Sequence, residues 1–238
     1  MTLARKIVAE AFGTMLFLAA VVGSGIMGER LSEGNVAIAL LANTLATGAT
    51  LVAVILAFGG VSGAHLNPVV TLAVAWEGGL QWLEVPGYIF AQMLGAFAGT
   101  AAAHVMFGLS VFQTSQHIRS GGAQIFSEFW ATFGLMSVIW GCSRVRPGAV
   151  PFAVGAYITG AYWFTASTSF ANPAVTLARS FTNTFSGIRP ADAPGFVAAQ
   201  TIGALAATLL WSWLMPSLPS VAKDVVVSHP ERKTVHGR

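Results

Sequence analysis

Six stretches of roughly 20 residues, at 6–27, 36–58, 86–108, 124–143, 149–168 and 194–215, are almost continuously apolar. A hydrocarbon core about 30 Å thick needs about 20 such residues per helical crossing. Backbone polar groups in lipid must be satisfied internally, which leaves only helices or closed barrels. Segments this long, without ten-residue alternation, select helices. Only 9% of the 238 residues are charged, against about 25% in a soluble domain. The deficit runs along the whole chain, so one membrane-embedded unit is expected, with the lipid bilayer as its partner. Arg5 and Lys6 precede the first stretch as in a signal peptide, but Glu10 lies inside it and the stretch continues to about Met27. A retained span is expected.

Two further apolar segments, 67–77 and 172–182, are too short to cross. Eleven residues rise about 16 Å as a helix, half of the core. Basic residues orient the set. With both termini cytoplasmic, Arg5, Lys6, Arg144, Arg146, Lys223, Arg232, Lys233 and Arg238 lie inside, and Arg30, Arg119, Arg179 and Arg189 lie outside. Eight against four satisfies the positive-inside rule. The same placement in short caps explains the net charge of +3 without nucleic acid. The tail 216–238 is polar and reads as a cytoplasmic extension. The single cysteine, Cys142, excludes an intrachain disulfide and reads as an apolar helix residue.

The chain repeats itself. "SGAHLNPVVTLA" (62–73) returns as "STSFANPAVTLA" (167–178), with Asn67 and Asn172 105 residues apart. "AEAFGT" (9–14) returns as "SEFWAT" (127–132), pairing Glu10 with Glu128. "AQMLGAFAG" (91–99) returns as "AQTIGALAA" (199–207), pairing Gln92 with Gln200. The first repeat is read as 1–108, an inter-repeat loop as 109–123 and the second repeat as 124–215. Three spans per repeat is an odd number, so the second repeat enters from the opposite side. The expected fold is an all-α membrane protein, with six transmembrane helices and two re-entrant half-helices in an inverted repeat. Symmetry makes the half-helices dip from opposite faces and meet near the midplane. Gly95 and Gly99, with Gly203 and Ala207 as counterparts, are read as close-packing positions.

Asn is among the best N-cap residues and Pro is favoured at the first helical position. Asn67-Pro68 and Asn172-Pro173 are therefore helix starts by local chemistry. Capping uses the side-chain oxygen and leaves the NH2 to donate. Two such donors at mid-membrane could hold one passing oxygen atom. The positive ends of both half-helix dipoles face the same point and repel cations. A water held by both amides turns its hydrogens away, which interrupts a proton wire.

These motifs resemble the aquaporin and aquaglyceroporin (major intrinsic protein) family over about residues 5–215. The first Asn-Pro loop is Asn67-Pro68-Val69, with Val69 where the family usually has Ala. The second is Asn172-Pro173-Ala174. The resemblance implies a passive, tetrameric channel with one pore per subunit, selective through pore width, lining hydrogen bonds and half-helix dipoles. It implies that Glu10 and Glu128 accept hydrogen bonds from the re-entrant loops, and that His65 supports its loop. A proton relay through the glutamates is the competing reading, because a buried carboxylate demands a role.

By offset from the asparagines, the family's narrowest point maps to Thr47, Gly160, Ser169 and Val175. The last usually holds arginine. Four small or medium residues imply a wider constriction without a fixed charge, passing water and small neutral solutes such as glycerol, urea or arsenous acid. A water-selective pore is the first alternative. Arg179 lies one turn beyond Val175, and helical side chains lean toward the N-terminus. It either lends its charge to the outer mouth or bonds a loop or lipid phosphate. A proton-coupled secondary transporter using Glu10 or Glu128 is the second alternative, and a junction or scaffold protein a third. No nucleophile–base set, phosphate loop or metal cluster points to an enzyme, and no cofactor is implied. A plasma (inner) membrane location is expected.

Overall fold

The structure, a computed structural model, describes residues 1–216. Nearly all of the tail expected over 216–238 lies outside the described residues. The first repeat folds as α1 (Leu3–Leu31), α2 (Val36–Ser62), the short α3 (Pro68–Trp76) and α4 (Val85–Met106). The second folds as α5 (Gly122–Val145), α6 (Val150–Phe164), the short α7 (Pro173–Arg179) and α8 (Ala193–Leu214). Five of these helices are long and apolar enough to cross a membrane.

The sixth, α6, has 15 residues and rises about 22 Å. A span was expected to continue to residue 168. The helix stops earlier because Thr165–Ser169 turn, with Thr168 and Ser169 at positive φ. A 3-10 turn over Pro147–Ala149 leads into it from the other side.

The two repeats pack in the same way. α1 lies along α4 as α5 lies along α8, and α1 meets α2 as α5 meets α6. A Cβ on Gly95 or Gly99 of α4 would collide with the α1 backbone at Ala11 or Met15. One on Gly203 of α8 would collide with the carbonyl of Phe129 on α5. These glycines let backbones approach where lipid provides no hydrophobic drive between helices. The repeats then interlock: α3 packs on α8 as well as α4, and α7 on α4 as well as α8.

The core is apolar, as in a soluble protein, but the exterior is apolar as well. Phe12 and Leu16 on α1, Phe90 and Leu94 on α4, and Leu209 and Trp213 on α8 are exposed. Glu10, Asn43, Gln92, Glu128 and Gln200 are buried. An apolar exterior around an apolar core that holds a few hydrogen-bonded polar groups is an arrangement that lipid stabilises.

Candidate functional site: a cavity between two half-helices

Each half-helix starts as its dipeptide dictates. Asn67 Oδ1 accepts from the Val69 N–H at 3.1 Å, and Asn172 Oδ1 accepts from the Ala174 N–H at 2.9 Å. Pro68 and Pro173 occupy the first helical turn. Both prolines and Ala174 are buried. The NH2 groups are not wholly free, as capping alone would leave them. Asn67 Nδ2 donates to the Ala171 carbonyl at 2.8 Å, and Asn172 Nδ2 donates to the Leu66 carbonyl at 2.8 Å. One amide hydrogen of each Asn therefore ties the repeats together. The other remains for the cavity that both residues line.

The loops entering the half-helices share an unusual backbone. Ala64 and Leu66 have φ of 46° and 51°, and Ser169 and Ala171, 105 positions on, have 49° and 50°. Left-handed backbone costs a non-glycine residue roughly 1–2 kcal/mol. Carboxylates hold it in place. Glu10 accepts from the N–H groups of His65 (2.9 Å) and Leu66 (2.7 Å), from Ser62 Oγ and from Gln92 Nε2. Glu128 accepts from the N–H groups of Phe170 and Ala171, both at 2.9 Å, and from Gln200 Nε2. Gln92 and Gln200 also donate to Thr71 and Thr176 on the half-helices. Both glutamates are fully buried, and neither lines the cavity.

The cavity runs past both asparagines. Its apolar side includes Phe17, Leu51, Ile55, Leu135, Ile139 and Val154. Its polar side includes the stretches Ala64–Asn67 and Ser169–Asn172. His65 lines it while its Nδ1 lies 3.2 Å from Thr71 Oγ1. Val69 is buried but faces a separate apolar groove with Trp76 and Leu205. Its departure from Ala does not touch the cavity.

Three of the four expected constriction residues line the cavity: Thr47, Ser169 and Val175. Gly160 does not. It is exposed, and a Cβ there would meet only Phe164 at 3.9 Å. Helix α6 presents Val154, Ile158 and Tyr162 to the cavity at four-residue spacing, and residue 160 sits about 200° round from either neighbour. The buried Tyr162 lines the cavity and gives the α6 wall an aromatic ring and a hydroxyl.

Arg179 bonds the following loop and also lines the cavity. Its Nε donates to the Ser186 carbonyl of the following loop. Its guanidinium lies over the Phe170 ring, 3.4 Å from the centroid, beside the Tyr162 hydroxyl. The residue is 1% exposed and lines the cavity one turn from Val175. Phe170 is fixed edge-on by Phe196 at 5.2 Å.

The inter-repeat loop supplies a second cation that sequence reasoning missed. Arg119 Nε donates to the Gly187 carbonyl at 2.8 Å and its Nη1 to the Ser167 carbonyl at 3.1 Å. Its guanidinium lies 5.1 Å from the same Phe170 ring. Asp192 anchors this loop by accepting from the Arg119 N–H at 2.9 Å and from Arg189 at 2.7 Å.

The family model described as "Major intrinsic protein" matches residues 1–159. The chain is 55% identical to the aquaglyceroporin AqpS of Rhizobium meliloti (strain 1021) over 220 residues, 92% of this chain and 94% of that one. It is 31% identical to a probable glycerol uptake facilitator protein of Thermotoga maritima over 164 residues, 62% of this chain and 69% of that one. Among solved structures it resembles the aquaglyceroporin from Plasmodium falciparum, with a TM-score of 0.73, 21% identity and coverage of 91% of this chain and 99% of that one.

Proposed function

The chain belongs to the major intrinsic protein family and is a passive membrane channel for water and small solutes, and from that membership we propose how it selects them. The outer constriction is formed by Thr47, Tyr162, Ser169 and Val175, with Arg179 drawn back one turn toward the outer mouth. Moving the guanidinium away from position 175 widens the narrowest point and keeps a cation-repelling charge above it. Uncharged solutes larger than water then pass, namely glycerol, urea and trihydroxy metalloids such as arsenous acid.

The observation that carries this reading is that Val175 and Arg179 line one cavity a helical turn apart. A polyol or trihydroxy solute presents hydroxyls to the loop carbonyls and asparagine amides and its apolar side to the apolar wall. Glu10 and Glu128 hold the loops in their left-handed shape and do not relay protons, because loop and glutamine donors occupy both oxygens of each. His65 supports the first loop through Thr71. The two repeats, 1–108 and 124–215, form one pore within a homotetramer in the plasma membrane, with both termini cytoplasmic and no enzymatic activity.

The test is purified protein in liposomes, with shrink-and-swell rates for water, glycerol, urea and arsenous acid. Arg179→Ala should raise ion leak and reorder the solutes. An unaltered leak and ranking would remove Arg179 from the filter.

A further inference from the structure

Arg179 carries its charge into the protein without an acid to match it. Among the described residues the ion pairs are Lys6–Glu84 and Arg189–Asp192, and neither involves it. Nε is used by Ser186, the π face by Phe170 and the Tyr162 hydroxyl lies beside the guanidinium, but Nη1 is buried with no hydrogen-bond partner. Glu128, the acid of the adjoining loop, already accepts from two backbone N–H groups and Gln200. A guanidinium stays protonated at neutral pH. An unpaired charge removed from water is strongly disfavoured, and a counter-anion relieves that cost.

The rest of the outer cavity suits such an anion. Thr47 and Ser169 line it, and their buried hydroxyls have no partner of their own. Each hydroxyl can donate. Arg119, on the same Phe170 ring, adds a second positive charge within the range of a partly desolvated interaction. No carboxylate lines this cavity.

We propose that the outer half of the pore is a binding site for a small monovalent anion of nitrate or formate size. The anion accepts from Arg179 Nη1 and from the hydroxyls of Thr47 and Ser169, and Arg119 strengthens the field. While it is bound, it occupies the donors and the space that a neutral solute needs. Small anions therefore compete with solute, and bulky anions such as gluconate do not. The proposal rests on the reading that Arg179 lines the conduction path.

The experiment uses the full-length protein in liposomes. Glycerol flux is measured as external gluconate is replaced by nitrate at constant ionic strength and osmolarity. At a nitrate concentration twice its dissociation constant, simple occupancy lowers flux about three-fold. Arg179→Met should abolish the effect, Arg179→Lys should retain it, and Arg119→Met should raise the nitrate needed several-fold. Calorimetric titration of nitrate into the detergent-solubilised protein gives a second readout that needs no transport. Heat of binding lost in Arg179→Met supports the site even in a protein that passes no glycerol. Nitrate-insensitive glycerol flux together with no binding heat in the native protein overturns it.

Discussion

Asn67 and Asn172 each donate an amide hydrogen to the carbonyl that precedes the other, Asn67 to Ala171 and Asn172 to Leu66, both at 2.8 Å. This reciprocal pair joins the two repeats at the centre of the molecule. It also aims the remaining hydrogen of each amide, because the C–N bond of an amide is planar. Position and orientation of the two cavity-lining amides thus come from a contact between repeats.

Replacing Asn67 with Ala removes a helix cap, worth about 1 kcal/mol. It also leaves the buried Ala171 carbonyl without its donor, at about 1–3 kcal/mol. Thermal unfolding in detergent should show a destabilisation of about 2–4 kcal/mol, with loss of solute flux. A variant as stable and active as the native protein would show that the reciprocal pair is dispensable.

Glu128→Gln places an NH2 where backbone N–H groups need an acceptor. The left-handed backbone at Ser169 and Ala171 then loses its anchor, and the destabilisation should exceed that of a typical surface substitution, about 0.5 kcal/mol. A proton gradient alone should drive no solute accumulation through the native channel. Uphill accumulation would restore the transporter reading and give the glutamates a relay role.

Gly160 and Tyr162 separate the face of α6 from its count. Gly160→Ala should leave solute flux unchanged and stabilise the helix by roughly 0.5–1 kcal/mol, since space is open there. Tyr162→Ala should change the ranking of glycerol, urea and water. The reverse pattern in shrink-and-swell rates would return Gly160 to the constriction.

The outer loops should respond to acid through Asp192. Burial acts to raise its carboxyl, but the hydrogen bonds from Arg189 and the Arg119 N–H outweigh burial and hold it below its ordinary value. A depressed folded pKa contributes stability above the unfolded value, near 3.9, that is lost as pH falls through the folded one. Melting curves should lose this contribution below about pH 4, and Asp192→Asn should lack it at neutral pH. Equal acid sensitivity of native and Asp192→Asn proteins would show that the anchor carries no stability.

Local chemistry made much of this legible in the sequence. Asn-Pro caps are decided within four residues, and the Glu10/Glu128 and Gln92/Gln200 landmarks recur at fixed places in each repeat. Val175 and Arg179 stand four apart on one short helix, so their shared face follows from periodicity. Gly160 lies off the cavity lining, and counting back from Asn172 crosses the Thr165–Ser169 turn and carries no information about helix face. Tyr162 was findable as the third member of the Val154, Ile158 series. Arg119 was not, since its partners at Ser167, Gly187 and Asp192 lie 48 to 73 residues away. The reciprocal amide bonds span 104 and 106 residues, and only the folded repeat reveals that they leave one hydrogen per amide for the cavity.

The most direct measurement is the ratio of glycerol to water permeability in the native channel and in Val175→Arg. A guanidinium restored to the narrowest point should lower that ratio by about ten-fold, the effect of roughly 1.4 kcal/mol on the barrier, through glycerol far more than water. An unchanged ratio would contradict the claim that the displaced arginine sets the width of this pore.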